Sequence, residues 1–460
     1  MSQYTMRPIN YASNQITKNI LRTALPLLAA QLFQLLYNVM DRIFIARIPG
    51  VGTAALGGVG LCFPIITMIA AFTNLYGAGG MPLFSIERGK GNDEEASKLM
   101  NTSFSLLLFT AGILMIVGFL FGEPILRALG ASDAALVYSL PYLRIYLLGT
   151  AFTMIASGMN PFINAQGFPG VGMFTVIIGA AVNLVLDPVF IFALGMGVRG
   201  AAIATVIAQG FSAAFALRFL FGRTITIRLG LFSFRGFWRN WKRAWEVVSL
   251  GISSFVMMFT NSLVQMSCNS VLAAQGGDLY VSVMTIISSV RQMLDLPVFA
   301  ISEGATPTLS FNYGAKKPQH VRTAMKVMAV LGIIYTLAIW AVISWKPVPF
   351  IRIFTSDSTI LADAVHSMRL YFFAFPFMTL QYCGQTTFKA LKKRKKAVFF
   401  SIFRKVVIVV PLTFLLPYAF GMGTDGVFMA EPVSNVIGGA ACFITMLLTV
   451  LPELREMERT

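Results

Sequence analysis

Apolar residues run through this chain in long blocks, separated at regular intervals by short charged or turn-rich stretches. The blocks fall near 22–47, 53–80, 101–121, 138–164, 170–194, 198–217, 244–272, 280–311, 327–345, 366–388, 403–420 and 426–451. The stretches 101–122, 327–345, 406–424 and 432–451 contain no Asp, Glu, Lys or Arg. Each block is near the ~20 residues that a helix needs to cross a ~30 Å hydrocarbon layer. The pattern predicts an all-α integral membrane protein with twelve transmembrane helices.

Composition narrows the function. Of the 460 residues 56% are apolar and 12% charged, against roughly 25% charged in soluble domains. A cytosolic enzyme, a secreted disulfide scaffold and a nucleic-acid-binding protein are excluded. The net charge of +17 gains its meaning from placement. With a cytoplasmic N-terminus, the inner stretches hold 27 of the 36 basic residues, including seven in 218–243 and eight in 389–405. The outer loops hold six, and Arg42, Arg144 and Arg291 fall within blocks. The positive-inside bias therefore places both termini in the cytoplasm of a multi-pass plasma or inner membrane protein. Cys62, Cys268, Cys383 and Cys442 read as buried apolar residues, and His320 and His366 sit near block ends, so no His/Cys metal centre is expected. The polar first twenty residues suggest no cleavable signal, leaving the first helix as an uncleaved anchor.

The two halves repeat. "GAGGMPLFSIERGKGNDEEASK" (77–98) matches "SEGATPTLSFNYGAKKPQHVRT" (302–323), with Pro82, Ser85 and Gly89 on Pro307, Ser310 and Gly314. "GMGVRGAAIA" (195–204) matches "GMGTDGVFMA" (421–430). The offsets are 225 and 226, which points to internal duplication. Six crossings per repeat imply two six-helix lobes related by a pseudo-two-fold axis along the membrane normal, with a cleft for substrate. The expected organisation is an N-lobe over 1–217, a basic amphipathic linker over 218–243 lying in the interface, and a C-lobe over 244–460.

An ionisable group at membrane depth is a functional candidate by default. Asp41, Asp187, Asp295, Glu303 and Glu431 lie within blocks. Counting from the outer ends of the first and fifth blocks puts Asp41 and Asp187 at one depth, roughly 10–12 Å in. Tyr37 and Asn183 lie one turn before them, and Thr205 reaches the same level on the sixth block. These groups can hold a proton or Na⁺, or fasten three helices as a buried network. The repeat favours the first reading, because Asp41, Asn183 and Asp187 align with Met266, Val409 and Thr413. Pro188 frees a backbone carbonyl and can bend its helix there. In the second half, Arg291 and Asp295 are spaced as a neutralised helical pair. Glu303 either faces the cleft or caps a bent helix, and Glu431 reads as a vestibule residue or a second ion ligand. Asp295, Glu303, Glu431 and Met266 are the candidate substrate-binding residues. Twenty-four Met and forty Phe can line a deformable cavity or pack the core.

"LPLLAAQLFQLLYNVMDRIFIARIPG" (25–50), "NLVLDPVFIFALGMGVRGAAIAT" (183–205) and "SEGATPTLSFNYGAKK" (302–317) resemble the first, fifth-to-sixth and eighth helices of multidrug and toxic compound extrusion (MATE) transporters. The resemblance implies an antiporter that exports cationic amphipathic drugs by alternating access in exchange for H⁺ or Na⁺. It implies a cation-coupling site at Tyr37, Asp41, Asn183, Asp187 and Thr205, with Na⁺, if it is the ion, on the last four. No cofactor beyond the coupling ion, no nucleic-acid partner and a monomer are expected. Arg42 and the lack of an acid in 250–272 depart from the family pattern. A flippase for lipid-linked oligosaccharide, from the same superfamily, is the alternative; its two extra helices or more cationic cavity are not apparent in the sequence. An intramembrane enzyme would need a catalytic cluster that the two peripheral histidines do not provide.

Overall fold

The computed structural model describes residues 8–230, 241–355 and 358–459, with no side-chain description for 358–359. Among them every regular element is helical. The elements are α1 (Ile16–Ala46), α2 (Gly52–Gly60), α3 (Phe63–Gly89), α4 (Asp93–Ala128), α5 (Asp133–Leu148), α6 (Thr150–Ala165), α7 (Pro169–Pro188), α8 (Gly197–Leu220) and α9 (Trp241–Gly314). Then follow α10 (Pro318–Trp345), α11 (Val348–Arg352), α12 (Ser358–Phe372), α13 (Phe377–Ala390), α14 (Arg394–Ile402), α15 (Val410–Tyr418) and α16 (Gly423–Arg459). π turns follow α7 at Val189–Ala193 and join α14 to α15 at Phe403–Val409.

Eight of these runs are long and apolar enough to cross a membrane unaided. The bent pairs α2–α3 and α5–α6 each make one further crossing. The 74-residue α9 is two crossings broken at Gly277, whose φ of 66° and ψ of −165° are outside helical space. With α12 and α13 taken as one broken span, the described residues supply the twelve crossings, six in each half. The helices outrun the apolar blocks because polar ends cap them. Asn92 accepts from the Glu95 amide at 3.1 Å, and Asp93, Glu94 and Glu95 occupy the first turn of α4, where the helix dipole favours acids.

The described chain forms two compact units. The first holds the residues through Asn10 and Pro26–Gly251; the second holds Tyr11–Leu25 and the chain from Ile252 onward. The boundaries fall within α1 at Pro26 and within α9 after Gly251. In the second unit, Ile16 and Ile20 are buried against Ala305, Leu309 and Met325. The Asn312 amide donates to the Tyr11 carbonyl at 2.9 Å there. In the first unit, α3 and the start of α9 cross at contact distance, and a Cβ at Gly251 would sit 1.8 Å from the Leu75 carbonyl oxygen. Of the expected linker, 231–240 lie outside the described residues. In its described part, Ile225, Ile227 and Leu229 are buried, and the Gly230 amide donates to Asn101 Oδ1 at 2.7 Å.

Backbone geometry carries the duplication. Left-handed residues occur at Gly50 and Gly277, Gly91 and Lys316, Gly167 and Lys392, Gly195 and Gly421, and Gly197 and Gly423. Their separations are 225 to 227 residues. Lys316 and Lys392 hold this geometry without glycine's freedom, so the turn itself, not the residue, is what the two halves share. The separation is 225 at Lys392 and 226 at Gly421. The π turn Phe403–Val409 lies in that interval, as expected where one residue has been inserted into a helix.

Replacing Gly251 by Ala should destabilise the protein by about 1–3 kcal/mol, because the Leu75 backbone must move. Gly57, with open space around its Cβ position, should tolerate Ala without loss. Thermal unfolding in detergent checks both; equal stability of the two variants would contradict the close crossing.

Candidate functional site

The first unit assembles the acids that depth counting placed together. Asp41 on α1 is 9% exposed, Asp187 on α7 is 0% and Thr205 on α8 is 3%. Asn183 is one turn from Asp187, and its amide donates to Asp187 Oδ1 at 3.1 Å and to Thr205 Oγ1 at 3.4 Å. The carboxyl groups of Asp41 and Asp187 face each other, and the Tyr37 hydroxyl lies against Thr205. Asp41 Oδ1 and Asp187 Oδ2 are buried without a hydrogen-bond donor among the described residues. Arg42, on the next position of α1, is exposed and stacks 4.7 Å from the Phe63 ring centroid, close enough for its charge to act on Asp41.

Local structure fixes this geometry. Pro188 cannot donate to the preceding turn, and the chain continues as a π turn. Gly200 on α8 packs against that turn, where a Cβ would be 2.7 Å from the Phe190 carbonyl. Lower in the unit, the Asn160 amide bonds Thr175 Oγ1 at 3.0 Å and Ser212 Oγ donates to the Thr175 carbonyl at 2.8 Å, tying α6, α7 and α8 together. Two carboxyls facing each other in so little water disfavour double ionisation; one shared proton or one small cation relieves the repulsion.

The second unit contains a cavity of about 220 Å³ lined by α9, α12, α13, α16 and the α14–α15 π turn. Four cations line it: Arg291, Lys389, Arg404 and Lys405. Three carboxylates answer them. Glu431 accepts from Arg291 at 2.8 Å, Lys405 at 3.0 Å and Arg404 at 3.4 Å. Asp295 pairs with Arg291 at 3.3 Å, and Glu303 with Lys389 at 2.9 Å. Arg291 also donates to the Tyr371 hydroxyl at 3.0 Å.

Several sequence expectations change here. Arg291 does pair with Asp295, but its closer carboxylate is Glu431. Glu431, read as a vestibule or ion ligand, is held by three cations. Glu303 lines the cavity and is tied to Lys389. Met266 is 71% exposed and does not line the cavity. Lys389, Arg404 and Lys405, counted with the inner loop 389–405, are 6%, 8% and 9% exposed and belong to the interior. A cationic cavity that the sequence reading did not identify is therefore present within the second unit. Arg404 and Lys405 sit eight and nine residues beyond Lys396, between "AVFFSIF" and "VVIVV", on the helical run from α14 into its π turn. That is an intramembrane charge pair, not a loop.

A family model described as MatE matches residues 26–189 and 253–415, most of the chain. The chain belongs to the MatE family. The multidrug export protein MepA of Staphylococcus haemolyticus is 23% identical, over 90% of this chain and 89% of its own. An FAD transporter of Shewanella oneidensis is 22% identical, over 94% of each chain. A crystal structure of MATE in the bent conformation superposes with a TM-score of 0.90 at 23% identity, covering 97% of this chain and 98% of that one. The fold is that of MATE transporters.

The Glu303–Lys389 pair gives a direct check on the buried network. Glu303→Gln leaves a buried cation without its partner and should cost about 3 kcal/mol, while adding Lys389→Gln should restore much of that. Thermal unfolding of the two single variants and the double variant measures the coupling; strictly additive losses would contradict the pairing.

Proposed function

We propose that this chain is an ion-coupled exporter of small amphipathic compounds, working by alternating access in the plasma or inner membrane. The observation that carries the reading is the facing pair Asp41 and Asp187, each with a buried oxygen that lacks a donor among the described residues. Thr205 adds a hydroxyl oxygen for Na⁺, Asn183 would add its amide oxygen once its side chain turned from the donor orientation it holds toward Asp187 and Thr205, and the pair alone suits a proton. Ion occupancy of such a site biases one conformation over another, which is what exchange of an ion for a substrate requires. The names of the relatives, a multidrug export protein and an FAD transporter, support small-molecule transport.

The cationic drugs expected from the resemblance would need free carboxylates. Asp295, Glu303 and Glu431 are each engaged by a cation, so the Asp41 and Asp187 pair of the first unit is the better place for a cationic group. The flippase reading gains from the cationic cavity in the second unit.

Asp41→Asn and Asp187→Asn should fold and insert, since each keeps shape. Each should lose gradient-driven export while retaining substrate binding, and the double variant should be scarcely worse than either single one. Transport by Asp187→Asn at the wild-type rate, with undiminished gradient dependence, would refute the coupling role. The proposed orientation has its own check. Tags inserted at residues 230 and 393 should both be cytoplasmic, because basic residues cluster there; labelling of either from outside would overturn the proposed topology.

A further inference from the structure

We infer that the cavity in the second unit binds an amphipathic molecule through an oxyanion, a phosphate or carboxylate, seated among Arg291, Arg404 and Lys405. Glu431 is the protein's own counter-ion in that seat, displaced when the ligand enters. This goes beyond the export reading, which needs no anion site.

Charge arithmetic supplies the first ground. Four cations share three carboxylates, so the lining carries one formal positive charge in excess. At membrane depth an unbalanced charge costs several kcal/mol, and a monoanion removes it. Crowding supplies the second. Three cations converge on Glu431 Oε1, while Oε2 takes only Lys405, at 3.3 Å. A phosphate offers three oxygens to the same donors, and guanidinium forks match it bidentately.

The duplication supplies the third. The offsets carry Arg291 and Asp295 onto Ile66 and Ala70, Arg404 and Lys405 onto Ile178 and Gly179, and Glu431 onto Thr205. A fold-maintaining network would be expected in both repeats, yet this one occurs in the second alone. Arg404 and Lys405 also sit on the π turn that the first repeat lacks at this point. The Arg404 stem packs on Gly438, where a Cβ would be 2.8 Å away, and its guanidinium bonds Asn435. The remaining wall suits the organic part of a ligand. Tyr371, Tyr382 and Phe299 line it, and Gln381, 8% exposed, presents an Oε1 with no donor among the described residues.

Equilibrium dialysis of the full chain in phosphatidylcholine nanodiscs tests the site, using methylumbelliferyl phosphate and an uncharged methoxymethylcoumarin of the same ring. The phosphate ester should bind at least tenfold tighter than the ether. Lys405→Gln should weaken it about tenfold, whereas Glu431→Gln, which removes the competing carboxylate, should tighten it about tenfold. If Lys405→Gln fails to fold, Glu431→Gln decides, because a purely structural network would lose binding rather than gain it. A parallel arm in phosphatidylglycerol nanodiscs separates ligand sources. Undiminished probe binding there indicates a soluble oxyanion. Probe exclusion, or retention of phosphatidylglycerol through detergent washing by the wild type and not by Lys405→Gln, indicates a lipid headgroup. Equal binding of ester and ether with no selective retention of phosphatidylglycerol would overturn the inference, as would unchanged or weaker binding of the oxyanion by Glu431→Gln. No gradient is involved, so failure here leaves the coupling reading standing, and failure of coupling leaves this site standing.

Discussion

A charge at hydrocarbon depth must be met by protein, water or its own neutralisation, and the polar interior of this protein is arranged around that requirement. The two units meet it differently. In the first, two carboxyls face each other with one amide and two hydroxyls, and each keeps a buried oxygen without a donor among the described residues. In the second, three carboxylates are answered from within by four cations. The buried site of the first unit holds unmatched carboxyls, and the cavity of the second holds one cation more than its carboxylates.

Duplication makes that contrast informative. The left-handed turns recur at nearly constant separation, and the close packing of Gly200 on Phe190 has a counterpart in Gly426 on Leu416 and Pro417. The scaffold is thus held in common while the buried charges are not. Glycines at the close crossings and turns are repeated, whereas Asp41 stands against Met266 and Glu431 against Thr205.

Much of this was legible in the sequence because hydrocarbon imposes a simple rule on helix length. The twelve blocks match the crossings, with ends extended by caps such as Asn92 and by breaks at Gly277 and after Ala128 that apolarity alone cannot locate. Depth counting brought Asp41 and Asp187 together because both helices run outward and each rises ~1.5 Å per residue. The cationic cavity was missed for a related reason. Lys389, Arg404 and Lys405 flank the basic run 392–396, and a count of loop charge absorbs them. Only the packing of α14, α15 and α16 shows Arg404 and Lys405 turned inward, and no one-dimensional pattern reports which carboxylate three distant cations share.

The claim that the first unit couples an ion gradient to export is tested most directly in proteoliposomes with pH and Na⁺ gradients imposed separately. The account predicts that one of the two gradients alone drives substrate movement, and that dissipating it abolishes accumulation. Equal transport with neither gradient present would contradict it.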